Sequence, residues 1–338
     1  MTPRARLVTA VVLTVVLLGS TAAYAVSAIV GHQARQAIPA EAQTAAFDRQ
    51  VAAGRIVFRN TTADAAYGLV ASVSADDPSG DRSVTDIACD RVYSEARSTM
   101  CLRIDRGVLT TFSANLLDTA GTVQRSWSLP GIPSRTRVSS DGERVAFTSF
   151  VTGEAYATVG FATATQISTI HGDDYGNLED FALTIDGTPN TAADRNFWGV
   201  TFTSDPDVFY ATAATGSKTW LVRGDLAART LTSVRESVEC PSLSPDETRI
   251  AFKKNISTTA TAHWSIAVLD LTTNKETVMP DPRNIDDQIE WLDDSTLLYG
   301  LARDDQPGDS DVWSIPADGR GASALFIEHA TSPSAVRP

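Results

Sequence analysis

Only three cysteines, three methionines and four histidines occur among the 338 residues. The histidines (His32, His171, His263 and His329) are scattered, and none has a metal-ligand neighbour at useful spacing, which argues against a zinc centre. Basic residues are also short. Lys and Arg number 28 against 41 Asp and Glu, a formal charge of −13. A surface of that sign repels phosphate backbones, so nucleic acid is excluded as a partner. Cationic partners, a divalent cation or plain solubility agree with it better.

Long apolar runs are absent except for one. Leu7 to Val30 contains no charged residue and follows Arg4 and Arg6. About 20 apolar residues span a bilayer, and a basic flank holds its side in the cytoplasm. The expectation is a single-pass signal anchor over residues 1–30, with the N-terminus cytoplasmic and everything after it outside the cell membrane. The alternative is a cleaved signal peptide and a secreted chain, since Ala23-Tyr24-Ala25 is an acceptable cleavage site. Export agrees with the cysteines. Cys89 and Cys101 are spaced to bridge neighbouring strands in an oxidising compartment, and Cys240 is left over as a small buried hydrophobe. Residues 31–53, rich in Ala and Gln and interrupted by Pro39, read as a stalk.

What the chain does have is a recurring phrase. "CPSLSPDETRIAFKKN" (240–255) places a Ser244-Pro245-Asp246-Glu247 turn before Arg249–Lys253, where polar and apolar residues alternate as in a half-buried strand. "SSDGERVAFTSF" (139–150) repeats it, while "TSDPDVFYATA" (203–213) and "LDDSTLLYGLA" (292–302) are looser copies. "GRIVFRN" (54–60) and "STMCLRI" (98–104) supply the strand alone. One central residue from each, Phe58, Leu102, Phe147, Tyr210, Phe252 and Tyr299, gives spacings of 44, 45, 63, 42 and 47. Further short strands follow most of these. Four strands per unit at this period specify a β-propeller blade, and six units specify six blades over 54–338. The long gap places an insertion at about 171–196.

The phrase "LSPDETRIAFKKN" resembles the repeat of TolB-like propellers, relatives of WD repeats whose blades carry Ser-Pro-Asp-Gly before an Ile-Ala-Phe strand. The match is close at 243–253, fair at 139–148 and degenerate elsewhere. The resemblance implies an all-β fold of four-stranded antiparallel blades behind an N-terminal membrane segment. It also implies a protein-binding platform rather than a catalyst, although a fold does not fix a function. Glu247 stands where the family has Gly.

Two acidic groups are the candidate binding residues. Asp173, Asp174, Glu179 and Asp180 crowd the insertion between Gly172 and the following strand. A divalent cation is the candidate cofactor there, because hard cations take carboxylate oxygens, although the spacing is not that of an EF-hand loop. Asp286 and Asp287 precede the innermost strand of blade six, near the channel mouth. No Gly-x-Ser-x-Gly elbow is present, which argues against hydrolases gated by a propeller. The leading expectation is a monomeric, non-catalytic platform that binds a protein or an envelope component. The alternative is a glycosidase or lyase acting on envelope polysaccharide. A channel plugged by side chains favours the first. A deep channel lined by convergent carboxylates and aromatic platforms favours the second.

Overall fold

The computed structural model describes residues 3–40, 42–95, 97–151 and 162–337. They form two units. One holds the N-terminal helix, Pro3–Gln36, together with Thr62–Tyr67. The contiguous stretch of that helix whose side chains are described is Val12–Ser27. Among the described residues no helix is long and apolar enough to cross a membrane.

The second unit, from Ala42 with Thr62–Tyr67 left out, is a six-bladed propeller. Blades two to six are consecutive sheets, each with four antiparallel strands, and in blade four Ala182–Ile185 adds in parallel to Thr230–Glu236. Their innermost strands are Arg91–Glu95, Ile132–Val138, Asn196–Phe202, Glu239–Leu243 and Glu290–Trp291. Blade one takes its innermost strand from the other end of the chain. Ala330–Val336 pairs antiparallel with Arg55–Asn60, with Val336 opposite Arg55, Ala335 opposite Ile56 and Ser334 opposite Val57. Each innermost strand touches the next, and the last touches Arg91–Glu95, so the circle is complete.

All six marker residues lie on second strands, and five are buried: Phe58, Leu102, Phe147, Phe252 and Tyr299. Tyr210 is the exception. It is half-buried, while Phe209 and Ala211 on either side are fully enclosed. A strand alternates its faces residue by residue, so a marker one position out of frame faces the other way.

The turn before each second strand also joins blades. In blade three, Arg144 donates to the carbonyls of Asp205 (3.1 Å) and Pro206 (2.7 Å) in blade four. In blade five, Arg249 donates to the Asp294 carbonyl of blade six, whose side chain accepts from the Asp246 amide at 2.9 Å. Glu247 closes its turn onto Ser244 (2.9 Å) with φ of +58°, as Gly142 does onto Ser139 (2.8 Å) with φ of +75°. This left-handed conformation is costly for a residue with a Cβ, roughly 1 kcal/mol, so replacing Gly is not neutral. The Glu247 carboxylate accepts from the Ser204 amide in the neighbouring blade, a contact glycine could not make.

Three placements differ in detail from the sequence reading. Cys89 and Cys101 are bonded, with Cα atoms 5.4 Å apart, and Cys240 is free and buried. Cys89 lies in the connection after the outer strand of blade one (Ser83–Ala88), not on the first strand of blade two. The bond therefore ties that connection to the second strand of blade two. The later part of the segment read as a stalk packs within the propeller unit. Gln43–Thr44 pairs in parallel with Ser83–Val84, and Phe47 and Val51 are buried against Val57 and Val70. In the insertion, Asp174–Asn177 is the outermost strand of blade three, and a hairpin, Ala182–Ile185 with Thr188–Asn190, extends the blade-four sheet outward.

The closing strand supplies blade one with a row of backbone bonds and covers an exposed sheet edge. Deleting residues 331–338 is expected to lower the melting temperature by many degrees and to cause aggregation. A differential scanning calorimetry trace like that of the full chain would contradict this role for the strand.

Candidate functional site

The channel through the ring is filled at mid-depth. Arg137 and Glu290, on the innermost strands of blades three and six, are ion-paired with side chains only 5% and 3% exposed. Arg137 also donates to Ser242 Oγ (3.1 Å) and the Ile289 carbonyl (3.1 Å), and its guanidinium lies 4.6 Å from the centre of the Tyr93 ring. Tyr93 donates its hydroxyl to Glu290 at 3.3 Å. Arg337, one residue past the closing strand, reaches Glu95 (3.0 Å) and Glu290 (3.3 Å). Burial pushes the Tyr93 phenol well above its ordinary range. Burial disfavours the Arg137 charge, but Tyr93 and Glu290 more than offset that and hold its pKa above the usual value. Buried charges persist only when paired and hydrogen-bonded in this way.

The free space divides accordingly. A hollow of about 70 Å³ lies at the mouth where innermost strands end, and about 10 Å³ lies beside the Arg137 network. The mouth where innermost strands begin holds a cavity of about 460 Å³. Trp198, Trp264 and Phe150 supply its apolar walls, and Arg91, Arg135 and Lys253 its cations. A side groove of about 280 Å³ shares Glu239, Lys253 and Trp264 with it and is otherwise polar, lined by residues such as Ser217, Thr219 and Asn255.

Most charges at this mouth are matched. Lys253 is ion-paired with Asp286, lies 3.9 Å from Glu239, and sits 4.4 Å from the centre of the Trp264 ring. Burial raises Glu239 to about 7, with Lys253 offsetting part of the effect. Arg91 faces Asp287 at 3.5 Å, and Asp287 also accepts from the Gly300 amide at 2.9 Å. Cys240 closes the floor. Its backbone adopts φ of +50° and runs so near Gly199 that a Cβ there would come within 2.7 Å of the Cys240 Cα.

The two acidic groups singled out in the sequence lie apart. Asp286 and Asp287 are at the channel mouth, one exposed and pairing with Lys253, the other buried as a structural acceptor. Asp173, Asp174, Glu179 and Asp180 are on the outer edge of the ring, on or beside the outermost strand of blade three. Asp174 accepts from the Gly176 amide at 2.8 Å, a local turn bond. Among the described residues, no group of three or more His, Cys, Asp or Glu side chains is arranged to hold a metal ion.

Sequence reading did not single out Arg91, Arg135, Trp198, Glu239, Lys253 or Trp264 as site residues. The available signal was positional. Arg91 and Glu239 open innermost strands and Arg135 sits midway along another, so aligning blades on their innermost strands brings the first two to one mouth and Arg135 below it.

No protein-family model matches the chain, and no curated protein matches it either. Solved structures do. TolB from Acinetobacter baumannii superposes with a TM-score of 0.58 at 16% identity, over 83% of this chain and 66% of that one. The match thus spans about two thirds of the TolB chain. A chain of a nidogen/laminin complex gives a TM-score of 0.53 at 8% identity, over 83% of this chain and 97% of that one. At these identities the likeness is one of fold. The class is a six-bladed β-propeller with a filled channel, similar in fold to TolB.

Two substitutions test the electrostatics. Replacing Glu290 by Gln leaves a buried Arg137 without its counter-charge, and breaking such pairs costs about 3–5 kcal/mol. Urea denaturation should register a loss of that size, and an unchanged midpoint would mean the pair is solvated. Glu239 has a folded pKa above its unfolded one, so the folded state holds the extra proton and stability falls as pH rises from about 4.5 to about 7. Its side chain is 15% exposed, so the full effect is on the order of 3 kcal/mol. Glu239→Gln should flatten the pH dependence of stability in that window and stabilise the protein at pH 8. A parallel decline in variant and parent would refute this assignment.

Proposed function

We propose that the chain is a non-catalytic binding platform, held outside the cell membrane by Leu7–Val30, whose working surface is the wide channel mouth. The observation that carries this reading is the packed Arg137–Glu290–Tyr93–Arg337 network. It leaves no through-passage for a substrate and makes the mouth a rigid dish. Rigid scaffolds with aromatic and charged groups at a rim suit recognition of another macromolecule. The nidogen/laminin structure, whose matched chain is similar in fold, is a complex of two proteins. The partner proposed here is a protein or envelope component. Membrane attachment rests on the uncharged run and its basic flank.

A second reading has one observation in its favour. Glu239, raised to about 7, and Asp286 both face the cavity beside Trp264, as an acid and a carboxylate would in a glycosidase. Lys253 pairs with Asp286 and lies close to Glu239, which supports binding over catalysis.

Photocrosslinkers placed at Phe150 and Trp264 in cells are expected to capture an envelope partner, while one at the exposed Val123, on the outermost strand of blade two, is not. Protease added outside spheroplasts should digest the propeller of a membrane-bound chain. Equal labelling from all three positions would remove the mouth as the working surface. Release of glycan fragments by purified protein, lost in Glu239→Gln, would replace binding with catalysis.

A further inference from the structure

One cation at the channel mouth has no carboxylate in contact with it. Arg91 and Lys253 face carboxylates, whereas Arg135 makes no ion pair among the described residues. Its Nη1 donates only to the carbonyl of the adjacent Ser134, at 3.1 Å. Its Nε is enclosed, the Cys240 side chain lies against the guanidinium, and Cys240 together with Asp287 and Asp286, both from a distance, offset its burial and hold its pKa above the usual value. Guanidinium presents a planar fork of donors that matches a carboxylate. The group lines the 460 Å³ cavity, facing Trp198, Trp264 and Phe150 across it. The net charge of −13 makes the surface at large repel anions, so a wish for one is local to this point.

The space around Arg135 narrows the choice of anion. Aromatic walls call for an apolar body next to the negative group. The cavity also continues outward into the 280 Å³ groove past Trp264, where Ser217, Thr219, Ser237 and Asn255 offer hydrogen bonds to a backbone. We infer that the mouth is a carboxylate-recognition site for the free C-terminus of a partner polypeptide. The terminal carboxylate meets Arg135, an apolar last side chain lies between Trp198 and Trp264, and the preceding residues leave along the groove. This rests on the wide mouth being the working surface and adds the chemistry of what it takes.

The test uses the full chain in mild detergent and an N-terminally fluorescein-labelled tetrapeptide, Gly-Ser-Gly-Phe, read by anisotropy. The free acid should bind at least tenfold more tightly than the C-terminal amide. Unlabelled 3-phenylpropionate, which carries the same carboxylate and ring without a backbone, should compete at least tenfold more weakly than unlabelled peptide acid. Arg135→Gln should erase the acid–amide difference and Arg135→Lys should restore part of it, with thermal melts confirming that both variants fold. The acid–amide comparison on the parent protein needs no variant. Equal binding of acid and amide, or binding of neither at millimolar concentration, overturns the carboxylate site. Competition by 3-phenylpropionate equal to the peptide overturns the polypeptide. Crosslinking from Trp264 that persists through either failure would leave the platform standing without this chemistry.

Discussion

The pairing of Ala330–Val336 with Arg55–Asn60 is the constraint on which the molecule depends. Every other blade is made from one continuous stretch and could pair its strands locally. Blade one cannot, because its innermost strand arrives from the far end of the chain after the other five blades. Only when that strand docks do six innermost strands face one axis. Arg337, the residue following it, then comes within reach of both Glu95 and Glu290. Closure of the sheet and satisfaction of the buried charges are therefore one event.

That dependence explains the division between a packed axis and an open mouth. Six strands converging on an axis leave a narrow space whose walls are side chains. Large planar groups at its centre, Arg137 and Tyr93, fill it with partnered polar atoms. Toward the strand starts the blades splay, and the same strands present Arg91, Arg135 and Glu239 to a wider volume. Burial against the wall raises Glu239, while Lys253 is held by Asp286.

Much of the fold was legible in the chain because it is written as local chemistry. A Ser-x-Asp turn, an alternating strand and a period near 45 residues each act within a few positions. Even the ring closure was readable, since no β-like run precedes Gly54 in the Ala-rich stalk to begin blade one, while "TSPSAVRP" (331–338) is left over after the last strand of blade six. Tyr210 shows the limit of such reading. Its blade is degenerate, and a one-residue error in frame exchanges the two faces of a strand. Glu247 shows another, because the left-handed backbone that favours glycine became visible only as a dihedral angle. The site was far less legible. Its residues come from five blades and are brought together only by closure of the circle, so no spacing encodes them. Asp286 and Asp287 stood out as an acidic pair, although Asp287 turned out to be anchored to Gly300 and Arg91.

The Cys89–Cys101 bond makes the two routes into the seam mechanically unequal. Both ends of the propeller chain terminate in blade one, so tension on either end loads the same sheet. Peeling from the C-terminal side meets backbone hydrogen bonds, the Arg337 contacts and the bonds of Ser332 and Ser334 to blade two, but no covalent link, before the closing strand is free. Peeling from the N-terminal side runs through the rest of blade one and halts at Cys89, which is covalently fixed to blade two. A pull through the N-terminal segment undoes the same pairing from its other strand but then ends at a covalent stop, which a pull from the opposite terminus does not meet in blade one.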